Sequence, residues 1–482
     1  MDTSIARGVL KSGRSIIVPF VLPLRDNSDV LQCEKLLRVV PGRRVVLLCN
    51  WGGKQVIAKL FFQPLQVRRH IKRELSGIEA LTKAGIATAR LLYSGFAKDE
   101  STGVLLFEYI QPSVDIARLW GYEYSYENRI ESLRQVVIAL AGLHNKGLLQ
   151  SDLHFKNFLL KDKNAYCIDG STIKYVNKNG PANVSDSLQN LALLFCLLAS
   201  LESDLVKDLF AVYSDARGWE RAGADLDKLW RYIELRQKQR IRLKSKKIFR
   251  DTSEFICKKS FGCLFVCRRA DYTEAMSAFL DDPDKMLNGR DAHLLKRGNT
   301  STVARIKTDE LDFVIKRYNI KNCLHGLRKS LMESRASKSW RNAHLLLISG
   351  ILTPKPIAFL ERRFGPFRGR AYFICEYAEG QRADSFFKDG DSNEKLPVAK
   401  QVTGIFKKLH FSMISHGDMK ASNIIIHGRG PVLLDLDAMR IHSSQRGFAS
   451  AHRKDISRFL RNWVDAPDVS KLFIKLIEGQ RQ

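Results

Sequence analysis

The chain has 482 residues, of which 45% are hydrophobic, and it includes 26 Phe and 6 Trp. This length exceeds what one hydrophobic core supports, so two domains are predicted, and the apolar content excludes a wholly disordered protein. The net charge of +28 predicts an anionic partner, while nine scattered cysteines without a C-x-x-C pair argue against a disulfide framework or a zinc cluster.

The first elements predict a lysine-bearing strand followed by a helix. No uninterrupted apolar run occurs near the amino terminus, so no signal peptide is expected. The segment "VVPGRRVVLLCN" offers a turn with one glycine and two arginines, and "QVIAKLFF" reads as a strand that carries Lys59. The helix "RRHIKRELSGIEALTKAGI" follows and places Glu74 where it can pair with Lys59.

A polar loop between two apolar segments comes next. Residues 129–144 have the spacing of an amphipathic helix that ends just before Asp152. After Asn157, "FLL" and "AYCID" predict a short hairpin that ends on Asp169. The apolar run 188–201 contains Gln189 and Asn190 and is too short for a membrane span, so a buried helix is predicted.

Residues 231–250 carry nine Lys/Arg against one Glu and predict a basic helix. A solvated helix face explains such a run as well as a binding surface does. No RNA-binding signature or zinc-finger spacing accompanies it, so nucleic acid is not expected, and acidic lipid or an anionic substrate is favoured.

The second half repeats the layout of the first. The segment "LLKRGNTSTVARI" predicts a hairpin with Gly298 at its turn, where small residues allow backbone N–H groups to approach a phosphate. The strand "LDFVIKRYN" then carries Lys316. A helix over 398–410 leads to Asp418 and Asn423, and the strands "IIIH" and "PVLLD" end on Asp435.

The repeat is quantitative. His144, Asp152, Asn157 and Asp169 are separated by 8, 5 and 12 residues, and the same spacings separate the second set, His410, Asp418, Asn423 and Asp435. Four positions in register indicate a tandem duplication. We expect a first domain over 1–250 and a second over 251–482, with the boundary between about 250 and 285. Converging carboxylates repel one another unless a cation lies between them, which suggests Mg²⁺.

The order of these elements resembles the protein-kinase-like fold. It runs from a lysine-bearing strand through a helix, the apolar strand "GVLLFEYI", a second helix and a D-x4-N loop to an Asp that follows a hydrophobic residue. The resemblance implies an α+β fold in tandem, each copy bilobal with a small β-rich N-lobe and a helical C-lobe. It implies that Asp152 and Asp418 are catalytic and that ATP phosphates contact Lys59 and Lys316. It assigns Mg²⁺ to Asn157 with Asp169 and to Asn423 with Asp435.

Longer segments are similar to one kinase family. "HGD" before Asp418 is typical of small-molecule kinases, and "LDLDAMR" replaces D-F-G. The segments "SRASKSWRNAHLLLISGILTPKPIAFLE" and "LKRGNTSTVA" resemble the lipopolysaccharide core sugar kinases of the Kdo/heptose kinase (Kdo/WaaP) type, and "QSDLHFKNFLL" resembles a divergent branch. The family implies ATP- and Mg²⁺-dependent phosphorylation of a heptose or Kdo hydroxyl on the lipid A–core precursor. It implies a cytoplasmic enzyme, peripheral at the anionic surface of the inner membrane.

The two halves depart from the kinase pattern in different ways. Gln150 and Ser151 stand in the first half where the second has His416 and Gly417. The second half has no acid matching Glu74; Ser339 falls there, and Glu333 is the nearest acid before it. Either half or both halves can therefore be active. Another acceptor (a small molecule, a lipid alcohol or a protein Ser/Thr) and a non-catalytic scaffold stay as alternatives.

Three further aspartates keep two interpretations each. Asp437 is either an additional metal ligand or the cap of a turn. Asp186 and Asp455 either brace the loops that carry Asp152 and Asp418, as the resemblance implies, or cap the helices in which they lie.

Overall fold

The computed structural model describes residues 13–26, 29–62, 66–116, 126–198, 203–220, 223–309, 312–319, 332–389, 392–428 and 430–479. The chain divides into two compact units, residues 1–236 and 237–482, each with mixed α/β structure. The division falls within one helix, and the expected domain boundary near residue 250 stays a prediction. None of the helices in these ranges is long and apolar enough to cross a bilayer.

The first unit begins with a six-stranded antiparallel sheet in the order β1-β2-β3-β4-β6-β5. Strand β3 alternates buried and accessible residues, as half-buried strands do, whereas β6 is almost continuously buried. Helix α1 lies between β4 and β5 in the chain and carries Glu74. The elements are β1 (Phe20–Pro23), β2 (Val30–Val40), β3 (Arg44–Trp51), β4 (Lys54–Phe61), α1 (Val67–Lys83), β5 (Leu91–Phe96) and β6 (Gly103–Glu108).

The rest of the first unit consists mainly of helices with short strand pairs. The predicted hairpin after Asn157 is confirmed, because β9 and β10 pair antiparallel from Phe158 with Cys167 to Lys161 with Asn164. The elements are β7 (Val114–Asp115), α2 (Tyr126–Asn145), β8 (Leu148–Gln150), β9 (Phe158–Lys161), β10 (Asn164–Cys167), β11 (Ile173–Tyr175), α3 (Val184–Phe195), α4 (Ser203–Arg217) and α5 (Gly223–Lys247), the last of which continues into the second unit.

The second unit repeats this plan with a seven-stranded antiparallel sheet in the order β12-β13-β17-β18-β16-β15-β14. The predicted hairpin around Gly298 is confirmed as β14 and β15. The elements are β12 (Phe255–Lys259), β13 (Cys263–Arg268), α6 (Glu274–Asp281), α7 (Pro283–Leu287), β14 (Ala292–Arg297), β15 (Ser301–Lys307), β16 (Asp312–Tyr318), α8 (Arg335–Ile348), β17 (Pro356–Phe364) and β18 (Phe367–Cys375).

Helices again dominate the remainder of this unit. The predicted hairpin after Asn423 is confirmed, with Ile424 opposite Leu433. A core of large aromatic side chains, including Trp340, Phe459 and Trp463, fixes α8 and the last helices in place. The elements are β19 (Gln381–Arg382), α9 (Ala383–Asp389), α10 (Ser392–Phe411), β20 (Ile414–Ser415), β21 (Ile424–His427), β22 (Gly430–Leu433), β23 (Arg440–Ile441), α11 (Gln445–Leu460) and α12 (Pro467–Gly479).

Candidate functional site

The first unit contains the predicted ion pair between Lys59 and Glu74. Lys59 on β4 donates to Glu74 Oε1 on α1 at 2.5 Å and to the carbonyl oxygen of Ile168 at 3.1 Å. Glu74 is wholly buried, and the Lys59 ammonium also lies 5.0 Å from the ring centroid of Phe107. The pairing is thus confirmed, and the second hydrogen bond holds the Lys59 ammonium at Ile168, the residue directly before Asp169.

The loop of the first unit brings its three predicted residues together. The Asn157 side-chain amide donates to the carbonyl oxygen of Asp152 at 2.7 Å, and the Asn157 carbonyl accepts from the Ile168 N–H at 3.0 Å. The Asp152 carboxylate itself is 71% exposed, and His154 lies 3.8 Å away. Asp152 is therefore near the other predicted residues but is held loosely.

Asp169 has the contacts of a turn-capping residue. Its backbone is extended, and its Oδ1 accepts from the Ser171 N–H at 3.2 Å and from the Ser171 hydroxyl at 2.7 Å. Burial alone raises the pKa of the Asp169 carboxyl, but the Lys59 ammonium and the Ser171 hydrogen bonds outweigh burial and lower it. One carboxylate oxygen is thus already engaged within the turn.

In the second unit Lys316 is held differently. Lys316 on β16 donates to Asp435 Oδ1 at 2.5 Å and lies 3.9 Å from Asp437. Burial lowers the pKa of Lys316, but the nearby Tyr318 and the two carboxylates outweigh burial, and the net effect raises it. The ammonium is therefore cationic and faces two carboxylates from the segment after β22.

The helix positions considered for a glutamate do not contact Lys316. Ser339 on α8 shares a 2.8 Å hydrogen bond with the Tyr318 hydroxyl. Glu333 accepts from Arg341 at 2.9 Å and from the Ser337 hydroxyl at 2.8 Å, so it belongs to a local network around the start of α8. The second unit thus replaces a strand-to-helix ion pair with one from the strand to the segment that bears Asp435.

Asp437 forms an ion pair with α8 that its sequence did not indicate. The Arg335 guanidinium donates Nε–H to Asp437 Oδ2 at 2.6 Å, and a second guanidinium nitrogen contacts the same oxygen. The neighbouring Leu436 carbonyl accepts from the Asn342 amide at 2.7 Å. Helix α8 therefore fixes the Asp435–Asp437 turn, in which Asp435 has a left-handed backbone with φ 57°.

Asp418 lies in a cationic environment. Arg458 on α11 donates to Asp418 Oδ1 at 2.7 Å and to the carbonyl oxygen of Gly417 at 3.0 Å, and Lys420 donates to Asp418 Oδ2 at 3.1 Å. The Asp418 side chain is 24% exposed, far less than that of Asp152. The Asn423 amide donates to the Asp418 carbonyl at 2.9 Å, and the Asn423 carbonyl accepts from Leu434 N–H at 2.8 Å.

Asp455 braces the loop before Asp418. Its two carboxylate oxygens accept from the N–H groups of His416 at 2.6 Å and Gly417 at 2.9 Å. Burial lowers the pKa of His416, and the His416 ring contacts the Leu434 carbonyl at 3.0 Å. Gly417 has φ 80°, and a Cβ there would meet the Ala438 carbonyl oxygen at 2.7 Å. This steric limit explains why glycine occupies the middle position of the H-G-D sequence.

The corresponding brace in the first unit is an asparagine. The Asn190 side-chain N–H donates to the Gln150 carbonyl at 2.8 Å, and the Asn190 side-chain oxygen Oδ1 lies 3.1 Å from His144 Nε2. Asp186 instead pairs with the N-cap residue Asn183 at 2.9 Å. Neither interpretation holds for Asp186, since Asn183 is the N-cap of α3 and Asp186 lies in the first turn and contacts it. The bracing interpretation holds for Asp455.

Gly298 lies at the β14–β15 turn, as predicted. Its N–H donates to the Ser301 carbonyl at 3.0 Å, and the Asn319 amide donates to the Gly298 carbonyl at 3.1 Å. The amide of Gly298 is thus engaged within the turn. A phosphate at this loop would need other N–H groups, and the role of Gly298 stays a prediction.

The donor atoms of the second unit suit a hard divalent cation. The Asn423 amide nitrogen is engaged, so its oxygen is the atom available as a ligand, and Asp435 adds a carboxylate one residue beyond the Leu434 contact. Mg²⁺ commonly takes one or two carboxylates and completes its shell with phosphate and water. No group of three or more His, Cys, Asp or Glu suited to a metal occurs among the described residues.

Arg458 and Arg335 are the contacts that the sequence analysis missed. Arg458 lies three residues after Asp455, one helical turn away, so both can face the same loop. That spacing was the available signal for Arg458. Arg335 had no such signal, because its partner Asp437 is 102 residues away.

Comparison with protein families gives one match. The family described as lipopolysaccharide kinase (Kdo/WaaP) matches the chain over residues 52–173 and 288–478. These segments include every predicted site residue of both units and more than half of the chain. A comparison with curated proteins found no match.

Proposed function

We propose, from the premise that the chain belongs to the lipopolysaccharide kinase (Kdo/WaaP) family, that its second unit transfers the γ-phosphate of ATP to a heptose or Kdo hydroxyl of the lipopolysaccharide inner core. The family implies a phosphotransferase. The acceptor, the nucleotide and the assignment to the second unit are our proposals. The environment of Asp418 carries the assignment.

Asp418 accepts or orients the proton of the acceptor hydroxyl. The hydroxyl oxygen forms a bond to the γ-phosphorus, the bond from that phosphorus to the β-phosphate oxygen breaks, and ADP leaves. Arg458 and Lys420 hold the two carboxylate oxygens of Asp418 in one orientation, and Asp455 fixes the preceding loop. Positioning of this kind supplies much of the rate in phosphoryl transfer, which needs little covalent help from the protein.

The nucleotide end of the site is assigned to Lys316, Asn423 and Asp435. Lys316 is a partly buried cation and would contact the nucleotide phosphates, exchanging part of its contact with Asp435 for phosphate oxygens. Asn423 and Asp435 would hold Mg²⁺. That ion, when bound, neutralises charge that develops on the β- and γ-phosphate oxygens. Asp437 is occupied by Arg335 and would orient the turn.

The first unit is proposed as a non-catalytic domain. Its Asp152 carboxylate is mostly exposed, and no Lys or Arg among the described residues pairs with it. Its Asp169 is engaged with Ser171, and Gln150 replaces the histidine of the second loop. The Lys59–Glu74 pair is intact, but Glu74 has no solvent exposure, as the acid of a structural ion pair would have none. Catalysis by both units is the alternative that the experiments below distinguish.

The tandem bilobal kinase-like architecture belongs to the same proposal, with each large sheet as an N-lobe and the helices after it as a C-lobe. The proposed acceptor is the lipid A–core precursor, and the proposed place of work is the cytoplasmic face of the inner membrane. The net charge of +28 supports an enzyme that acts beside anionic lipid.

The acceptor is tested by counting phosphates on purified core oligosaccharide by mass spectrometry. Cells that lack the protein would be complemented with the intact chain or with Asp418→Asn. The intact chain should restore one phosphate on an inner-core sugar, and Asp418→Asn should not. A core phosphate pattern unchanged by loss of the protein would refute the proposed acceptor.

A further inference from the structure

Three exposed phenylalanines lie at one end of the seven-stranded sheet of the second unit. Phe261 is in the turn between β12 and β13, and Phe364 and Phe367 flank the two-residue turn between β17 and β18. Their exposed fractions are 65%, 71% and 42%. We call these three residues the phenylalanine tip. The proposed chemistry uses none of them.

The two turns that carry the tip are joined to each other. The Gly365 N–H donates to the Phe261 carbonyl at 3.1 Å, and the Arg363 N–H donates to the Gly262 carbonyl at 2.8 Å. The rings of Phe261 and Phe364 are in edge contact, with centroids 5.0 Å apart. Gly365 has φ 59°, and a Cβ there would lie 3.0 Å from the Phe261 ring, so a side chain at this position would be strained. The tip is therefore a preformed surface, and binding through it requires little ordering.

The tip is large for an exposed apolar patch. A phenylalanine has about 150–250 Å² of surface to bury, so the exposed fractions correspond to roughly 350 Å². Contiguous apolar patches of this size on a monomer commonly mark an interaction site. A stable protein interface covers about 800 Å² on each partner, which is more than the tip offers. Aromatic side chains that enter a bilayer need no such area, because each contributes its own transfer free energy.

Cations surround the tip. Residues 258–263 and 361–370, which form the ends of the two hairpins, contain six Lys/Arg and one acid. That acid, Glu361, is wholly buried and pairs with two of the arginines. Lys259 and Arg362 are exposed beside the phenylalanines. This combination matches an anionic bilayer, whose headgroups attract the cations and whose interface accepts the rings.

The geometry of the rings disfavours single-stranded nucleic acid as the partner. Successive bases stack on aromatic faces along a groove. The planes of Phe261 and Phe364 are 76° apart, so the two rings do not offer parallel faces to neighbouring bases.

We propose that the phenylalanine tip enters the interface of an anionic bilayer, while the surrounding cations contact lipid phosphates. The inference deepens the proposed function by naming the surface that meets the membrane. Its meaning for access to the acceptor rests on that function.

The tip lies at the end of the sheet that also carries the Gly298 turn. One row of register partners crosses the sheet just inside both turns: Ser301, Tyr318, Ala371 and Glu361. Gly298 is three residues beyond one end of this row, and Phe364 is three residues beyond the other. A bilayer that meets the tip therefore also faces the turn that is predicted to contact the nucleotide.

The test is sedimentation of the full chain with vesicles, without ATP or acceptor. Vesicles of phosphatidylglycerol with phosphatidylcholine are compared with vesicles of phosphatidylcholine alone. The intact chain should bind the anionic vesicles at least about tenfold more tightly, because each cation near an anionic surface contributes about fivefold in affinity. Phe261→Ser/Phe364→Ser should weaken this binding at least about tenfold, because two rings no longer leave water.

The matched control is Leu294→Ser/Leu295→Ser on β14, the strand at the opposite edge of the same sheet from β12. The two leucines are 54% and 52% exposed, so this variant also removes exposed apolar surface. Its binding should stay within about threefold of that of the intact chain. Equal losses in both double variants, or undiminished binding of the phenylalanine variant, would overturn the proposal. An intact chain that does not bind the anionic vesicles would also overturn it.

Phe364→Trp gives a second readout that does not depend on the fold of the serine variant, which circular dichroism verifies. This variant keeps an aromatic ring at the tip and should bind as tightly as the intact chain. The fluorescence that it adds to that of the intact chain should be quenched by lipids with brominated acyl chains. An unquenched signal, dimerisation through the tip, or binding of a single-stranded oligonucleotide in place of vesicles would overturn the proposal. Since no catalysis is measured, failure here leaves the proposed reaction standing.

Discussion

Replacing Lys59 with methionine removes the cation from a carboxylate that has no solvent exposure. Glu74 Oε1 is paired with Lys59, and within the described residues Oε2 has no hydrogen-bond partner. The variant therefore strands a buried Glu74, and loss of one partner from a buried ion pair costs about 3–5 kcal/mol of unfolding free energy. Replacing both residues, as Lys59→Met/Glu74→Met, removes the charge as well as its partner and should recover most of this loss.

The assay is urea unfolding of the intact chain, each single variant and the double variant, followed by phosphotransfer measured on the folded proteins. Lys83→Met is the matched control, because Lys83 pairs with Glu79 on the exposed face of the same helix and its loss should leave the unfolding midpoint unchanged. If the first unit is non-catalytic, the stable double variant keeps the phosphotransfer rate of the intact chain. A stable double variant without phosphotransfer, or a double variant as unstable as Lys59→Met, would refute the reasoning.

Two more predictions concern the second unit. Burial lowers the pKa of His344 to about 3, whereas an unfolded histidine titrates near 6.5, so stability should fall as the pH drops from about 6.5 toward 3, by about 2 kcal/mol at pH 5. Because His344 packs between Trp340 and Phe255, His344→Phe should fold and reduce the pH dependence in urea titrations by that amount, and an unchanged dependence would contradict the assignment. Arg458→Gln removes a charge-assisted hydrogen bond from Asp418 and should lower kcat about 10- to 100-fold, with Arg458→Lys intermediate. A kcat equal to that of the intact chain in Arg458→Gln would show that Arg458 does not position Asp418.

The elements around each loop could be predicted because they depend on local patterns. Apolar spacing gave the helices before Asp152 and Asp418, and short apolar segments around a turn gave the hairpins after Asn157 and Asn423. The repeated spacing then predicted that these residues lie together. Hydrogen bonds from each asparagine to the aspartate carbonyl confirm this proximity in both units.

The ion pairs of Lys316 and Arg335 in the second unit could not be predicted, because they join distant segments. Lys316 and Asp435 are 119 residues apart, and no local pattern indicates that a turn, rather than helix α8, supplies the acid. For Asp186 the sequence left a brace and an N-cap open, and the structure shows neither, because Asn183 caps α3 and Asp186 contacts that cap. Asn190 took the bracing role because its amide reaches both the Gln150 carbonyl and His144.

The central claim is tested most directly by the transfer of labelled γ-phosphate from Mg-ATP to purified lipid A–core acceptor. The rate is measured with purified Asp152→Asn and Asp418→Asn proteins. Asp418→Asn should lose about 10²–10⁴-fold in rate, and Asp152→Asn should match the intact chain. Full activity in Asp418→Asn, or an equal loss in both variants, would contradict catalysis by the second unit alone.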